Sequence, residues 1–373
     1  MAILTFVPSA ARSEAPARPD AVVDERSDPP QTDIAKPSLP PRALLRIGSD
    51  DLRTRTWVKN VAFSPDGRLI AAAQANTPTA RATIFDVRTG GAVKVLIGPV
   101  GPGGQVECVA FSPDGTKLIW GQSGGQVALW DLTADRILFR EKLHEGEVAA
   151  VRFSPDGRLM ASGGGETVCL RRAEVPGEVV REFTTRLVPR PGEHLAALPA
   201  APSPIDRNDV RCLAFSADGT RIVVGRTTGR ALFVWRVSDG QLLRTIPDAH
   251  GQPRDFNATI ASVAFLPDGR RIMSAGQATM AAEQRRGRFG TRWMSTTEVR
   301  IWDADTGAPL EALGRDEPGS GAAALSPDGR SVAIGDSNEI RLVDADTGRL
   351  ERRLPTMSIA DTIRIPVFSQ DGR

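Results

Sequence analysis

Three histidines, three cysteines and a recurring set of aspartates are the side chains here with the most obvious chemistry. His144, His194 and His250 lie far apart and share no metal-ligand spacing, so neither a zinc site nor a histidine acid–base pair is read from them. Cys108, Cys169 and Cys212 make no Cys-x-x-Cys pair and, being odd in number, no disulfide framework. Cys108 and Cys212 each stand three residues before a repeated phenylalanine, where other copies carry Ala150, Ser262 or Asn60. A slot for a small packed side chain explains both. Asp66, Asp114, Asp156, Asp218, Asp268, Asp328 and Asp371 recur in phase, each followed by glycine. That is the pattern of a turn-former, not of a catalytic carboxylate pair. No Gly-x-x-x-x-Gly-Lys, Gly-x-Ser-x-Gly or His-Glu-x-x-His occurs. The expectation is a chain that is no enzyme and holds no cofactor and no metal.

One cluster points to binding. Arg285, Arg286, Arg288 and Arg292 are interleaved with Phe289 and Trp293, an arrangement suited to gripping an acidic peptide. The competing reading is a solvated loop, because the chain carries 42 arginines against 5 lysines throughout. A net charge of +2 is too small to argue for nucleic acid or an acidic membrane surface, and neither is expected as a partner. No stretch approaches the ~18–20 apolar residues of a bilayer span.

These groups are positioned by a repeat. Phe-Ser-x-Asp-Gly begins at Phe63, Phe111, Phe153, Phe215 and Phe368, with near copies at Phe265 and Leu325. The shorter spacings sit near the ~40–45 residues of a four-stranded propeller blade. An apolar run such as Val148 to Phe153 precedes each turn and another, such as Arg221 to Val224, follows it. A third run ends in an aromatic and often an aspartate, as in Phe85-Asp86, Trp130-Asp131, Trp235-Arg236 and Trp302-Asp303, with Val343-Asp344 and Leu170-Arg171 as weaker versions. A second turn, clearest at Asp305-Thr306-Gly307 and Asp346-Thr347-Gly348, leads to a fourth run such as Leu242 to Ile246. Four short strands joined by hairpins, in series, predict an all-β chain.

The Ser-Pro-Asp-Gly turn with Trp-Asp about twenty residues later resembles the WD-repeat (WD40) family, in a bacterial style with irregular repeats, over residues 43–373. The resemblance implies a β-propeller of four-stranded antiparallel blades that serves as an interaction scaffold. The family's blade often carries a polar relay from a histidine before the first strand to an aspartate in the second-to-third turn. Only His144 and His250 stand near that histidine position, and the turns Gly124-Gly125, Gly164-Gly165 and Thr228-Gly229 lack the aspartate. Blade stability is therefore expected mainly from apolar packing and ladder hydrogen bonds.

Six blades are expected complete and a seventh partial. Leu44 to Ile47 would donate its outer strand and Thr362 to Phe368 its innermost one, as in a truncated seven-bladed ring; the competing arrangement closes at six. Residues 1–42, rich in Pro, Ala, Asp and Arg, read as a disordered tail or linker. Met1 to Ala11 resembles a clipped signal-peptide remnant, but it lacks a basic start and has an apolar run of only about six residues. The compartment is cytoplasmic as written, or periplasmic or secreted if a leader has been lost.

The long insertions, Thr184 to Asp209, Pro247 to Thr259 and Gly276 to Thr297, all fall on second-to-third loops or blade connections. In an up-and-down blade those leave from one face, so the partner surface, for a protein or peptide, is expected there. The alternative is an enzyme or small-molecule binder using the central channel. Its innermost strands read mainly Val, Ala, Leu and Cys, with Glu107, Arg152 and Arg211 the exceptions.

Overall fold

The computed structural model describes residues 57–75, 77, 79–98, 104–175, 178–185, 209–226, 231–247, 249–250, 259–280, 294–318, 321–335, 339–355 and 366–369. Their regular structure is six four-stranded antiparallel sheets, each with its strands in chain order. Blade one consists of Trp57–Phe63, Leu69–Ala75, Arg81–Asp86 and Ala92–Ile97. Blades two, three, four and six span 106–142, 148–184, 210–246 and 323–355. Blade five is the largest, with Thr259–Phe265, Arg271–Met280, Met294–Asp303 and Pro309–Pro318. Innermost strands of consecutive blades touch, and the sheets stand in a ring as a β-propeller.

The turns explain why the chain folds back where it does. In blade one the Ser64 hydroxyl donates to Asp66 at 2.6 Å while its oxygen accepts the Leu69 N–H at 2.9 Å. Ser112, Ser154, Ser216 and Ser326 make the same bond to Asp114, Asp156, Asp218 and Asp328. The glycine that follows sits at φ of +65° to +71° in all six blades, a region closed to most L residues. Blade five has Leu266 in place of the serine, and there Asp268 instead binds the Arg271 guanidinium at 2.6 Å. These bonds hold the turn carboxylates below their usual range, with Asp114 and Asp218 at about 2. The aspartate of each Trp-Asp pair is a turn-former too: Asp131 accepts the Thr133 and Ala134 N–H groups, and Asp303 that of Thr306.

The core lies between blades. Leu96 and Ile84 of blade one pack with Val109 and Trp120 of blade two, and four further layers of this kind join blades two to six. In blades three, four and five a residue at the start of the inner strand fills a hole over a glycine in the preceding blade. A Cβ on Gly121, Gly163 or Gly225 would meet Val148, Val210 or Ile260 at 2.5–2.7 Å. Interiors packed to that density leave no room for it. The small-residue slot expected at Cys108 and Cys212 is real, and it also ties blades together. The Cys108 thiol donates to the Val148 carbonyl at 3.1 Å, Ser262 donates to Ala323 at 2.7 Å, and Asn60 accepts the Val109 N–H.

Three sequence expectations are refined. Register places Arg171 opposite Met160 as Trp302 stands opposite Ile272, so blade three carries Arg171-Arg172, not Leu170-Arg171, at the Trp-Asp position. The Arg171 guanidinium takes the indole's place, lying over Phe139 at 4.9 Å and pairing with Glu141 at 3.0 Å. A flat, delocalised cation can stack where a lysine could not. The stretch 276–297 is not all loop, since strand pairing runs to Met280↔Met294. Between blades six and one, Val367 packs on Val61 and Phe85 of blade one while Phe368 packs on Ile340 and Leu342 of blade six. Adjacent residues of extended chain point to opposite sides. The rest of the expected seventh blade, 362–365 and Leu44 to Ile47, lies outside the described residues, as does the 1–42 segment.

Candidate partner-binding face

Because each sheet is a simple antiparallel meander, second-to-third turns and blade connections leave from one end of the strands, and Asp-Gly turns from the other. At the first end, blade five stands out. Its second and third strands are ten residues each and stay paired from Arg271↔Asp303 to Met280↔Met294, against strands of three to seven residues in the other blades. The fourth strand follows them out to Thr296↔Pro318. The predicted binding residues Arg285, Arg286, Arg288, Phe289, Arg292 and Trp293 lie outside the described residues, within the segment that the paired arms at Met280 and Met294 carry.

A buried polar chain anchors the base of those arms. The Trp302 indole N–H donates to Ser274 Oγ at 2.8 Å, and the Ser274 hydroxyl lies 2.7 Å from His250 Nε2. The Glu298 carboxylate that faces the other ring nitrogen can only accept, so the neutral ring carries its proton on Nδ1 and Nε2 accepts from the Ser274 hydroxyl. Nδ1 faces Glu298 Oε2 at 3.5 Å, and Arg300 Nε binds the other carboxylate oxygen at 2.7 Å. Burial pushes the His250 ring below its ordinary range despite the carboxylate beside it. Desolvation opposes charge on Glu298, but the contacts from His250 and Arg300 outweigh it and hold that carboxyl at about 2.

Blade three has a shortened version. His144 Nε2 lies 2.8 Å from Ser162 Oγ, and Nδ1 lies 2.9 Å from Thr167 Oγ1. Burial holds His144 neutral, with its pKa down at about 4. The relay that the sequence reading discounted is therefore present in two blades, with Glu298 or Thr167 in place of the missing turn aspartate. The available signal was the pairing of each histidine with a serine at one shared second-strand position. In blade two Trp120 holds that position and packs on Trp130 at 5.2 Å.

The channel exceptions separate along the axis. Near the first-strand starts, Lys59 binds Glu107 at 3.1 Å and Arg211 meets Glu147 at 3.5 Å. Burial, and then the Glu147 charge, raise the Glu107 pKa. Arg152 sits at the other end, one residue before the turn of blade three. Cys108, Cys169 and Cys212 are buried free thiols, pushed up to about 12, 11 and 12 by desolvation, which suits packing and not nucleophilic chemistry. Among the described residues no cluster of His, Cys, Asp and Glu could hold a metal ion. No described helix is long and apolar enough to cross a membrane.

Comparison with known proteins agrees with this architecture. The family model described as WD domain, G-beta repeat matches residues 92–131, 138–171 and 203–236. The first match begins on the fourth strand of blade one and ends on the third of blade two, so the sequence repeat staples neighbouring blades. The chain is similar to telomerase protein component 1 of Rattus norvegicus, 26% identical over 80% of this chain and 11% of that protein. It is similar to apoptotic protease-activating factor 1 of Rattus norvegicus, 26% identical over 50% of this chain and 17% of that protein. A guanine nucleotide-binding protein subunit beta of Nicotiana tabacum is 29% identical over 30% of each chain. The chain thus spans less than a third of these relatives' own lengths. With repeats matched in series and six four-stranded sheets wrapped in a ring, the chain carries WD40 repeats folded as a β-propeller.

Proposed function

We propose that this chain is a non-catalytic scaffold that binds a protein or peptide partner through the face carrying its long second-to-third loops and blade connections. The observation that carries this reading is the paired hairpin of blade five, which runs out to Met280 and Met294 at the same end as the insertions after blades three and four. Rigid β arms hold a recognition loop at lower entropic cost than free chain would. In this reading Arg285, Arg286, Arg288 and Arg292 supply charge for an acidic peptide, and Phe289 and Trp293 supply apolar anchors. Two relatives bear the names of assembly parts, a protein component and a subunit, in keeping with a scaffold role.

The test is affinity capture with the chain as bait, comparing wild type with a variant in which residues 281–293 are replaced by a Gly-Ser linker of equal length. Partner recovery should fall sharply, and the remaining binding should lose its salt dependence. Unchanged recovery overturns the proposed face.

A further inference from the structure

The residue just before each turn phenylalanine is alanine in five blades: Ala62, Ala110, Ala214, Ala264 and Ala324. Blade three has Arg152 there. No turn or strand rule calls for the change, since the flanking Val151 and Phe153 keep the repeat's pattern. Around this one side chain the innermost strands of blades one to four line a half-open cavity of about 450 Å³. Its walls are Phe63, Phe111, Phe153 and Phe215 with the turn prolines.

The Arg152 guanidinium is exposed to this cavity, yet the surrounding protein desolvates it enough to lower its pKa. Among the described residues its one hydrogen bond runs from Nη1 to the adjacent Val151 carbonyl at 2.8 Å, and no carboxylate pairs with it. The contrast with the other end of the channel is direct, because there Lys59 meets Glu107 and Arg211 meets Glu147. Elsewhere Arg221 and Arg271 also find carboxylates, Asp305 and Asp346. A planar donor fork in an apolar, ring-lined cavity is what binds a carboxylate carried on an apolar body.

We propose that the turn end of the central channel is a binding site for a small aromatic or similarly apolar carboxylate, with Arg152 holding the carboxylate and the phenylalanine ring of blades one to four holding the body. A free aromatic acid and the C-terminal carboxylate of a peptide ending in Phe present the same chemistry. The site is at the opposite end from the loop face and does not depend on that face binding a partner.

The experiment titrates the whole chain with 3-phenylpropanoate, with its amide, and with a tetrapeptide ending in Phe as free acid or amide, followed by calorimetry and saturation-transfer NMR. The R152A variant carries what five other blades already have, so it keeps the fold, which circular dichroism checks. The wild type should bind an acid form at roughly millimolar strength, given a ligand of this size. R152A should weaken binding by about tenfold or more, the value of a charged hydrogen bond, and the amides should not bind. Which acid binds more tightly identifies the source. Equal binding of acid and amide, equal affinity in R152A, or no binding of either acid to wild type overturns the proposal.

Discussion

Substituting Ser274 by alanine orphans two buried groups at once, the Trp302 indole N–H and His250 Nε2. Ser274 and His250 are fully buried and Trp302 nearly so, so water cannot replace the lost partner. Each unsatisfied buried group costs about 1–3 kcal/mol, which puts S274A at about 2–6 kcal/mol. The matching change in blade three, S162A, orphans only His144 Nε2, because Arg171 stands where blade five has its tryptophan, and should cost about 1–3 kcal/mol. In a W302F background the serine deletion orphans one group instead of two, so its cost should fall by about 1–3 kcal/mol. Urea unfolding followed by circular dichroism gives each value from the midpoint at constant slope. If S162A costs as much as S274A, or if W302F leaves the S274A cost unchanged, the polar chain is not the unit described here.

Two further predictions rest on packing and on titration. Adding a methyl at Gly163 brings its Cβ to 2.5 Å from Val210 Cγ1, so G163A should destabilise by about 1–3 kcal/mol and V210A in the same chain should relieve part of that; urea midpoints of the single and double variants measure it. For His144, the folded protein keeps the ring neutral down to about 4 from an ordinary 6.5, while the unfolded chain takes the proton first. Stability should therefore fall as pH drops from about 6.5 towards 4, by about 3 kcal/mol at the lower end. Unfolding of H144Q across that range should show a flatter acid limb, and an unchanged limb would contradict the buried neutral ring.

The parts legible in the sequence are those made by residues close together in the chain. Phe-Ser-Pro-Asp-Gly closes its turn through bonds between residues two and five apart, so the motif and its near copies locate the first hairpin of each of the six described blades. The buried slot at Cys108 and Cys212 was also legible, because repetition exposes what one position tolerates. The blade-three register was misread by one residue, since Arg171 bears no resemblance to tryptophan until pairing with Met160 and stacking on Phe139 put it in the indole's place. The polar chains were discounted because the turn aspartate is missing; the serines that complete them, Ser162 and Ser274, lie 18 and 24 residues from their histidines, and only the packed blade joins them.

From its residues alone this chain determines turn chemistry, strand alternation and repeat number, because those depend on contacts within one hairpin. Which side chains meet was decided by the ring. Phe63, Phe111, Phe153 and Phe215 are separated by whole blades in the chain and yet share one cavity, brought together only because successive sheets turn about a common axis. In the sequence Arg152 is only an exception to an apolar strand pattern; the ring sets it in a half-open pocket lined by four phenylalanines where, among the described residues, no carboxylate pairs with it.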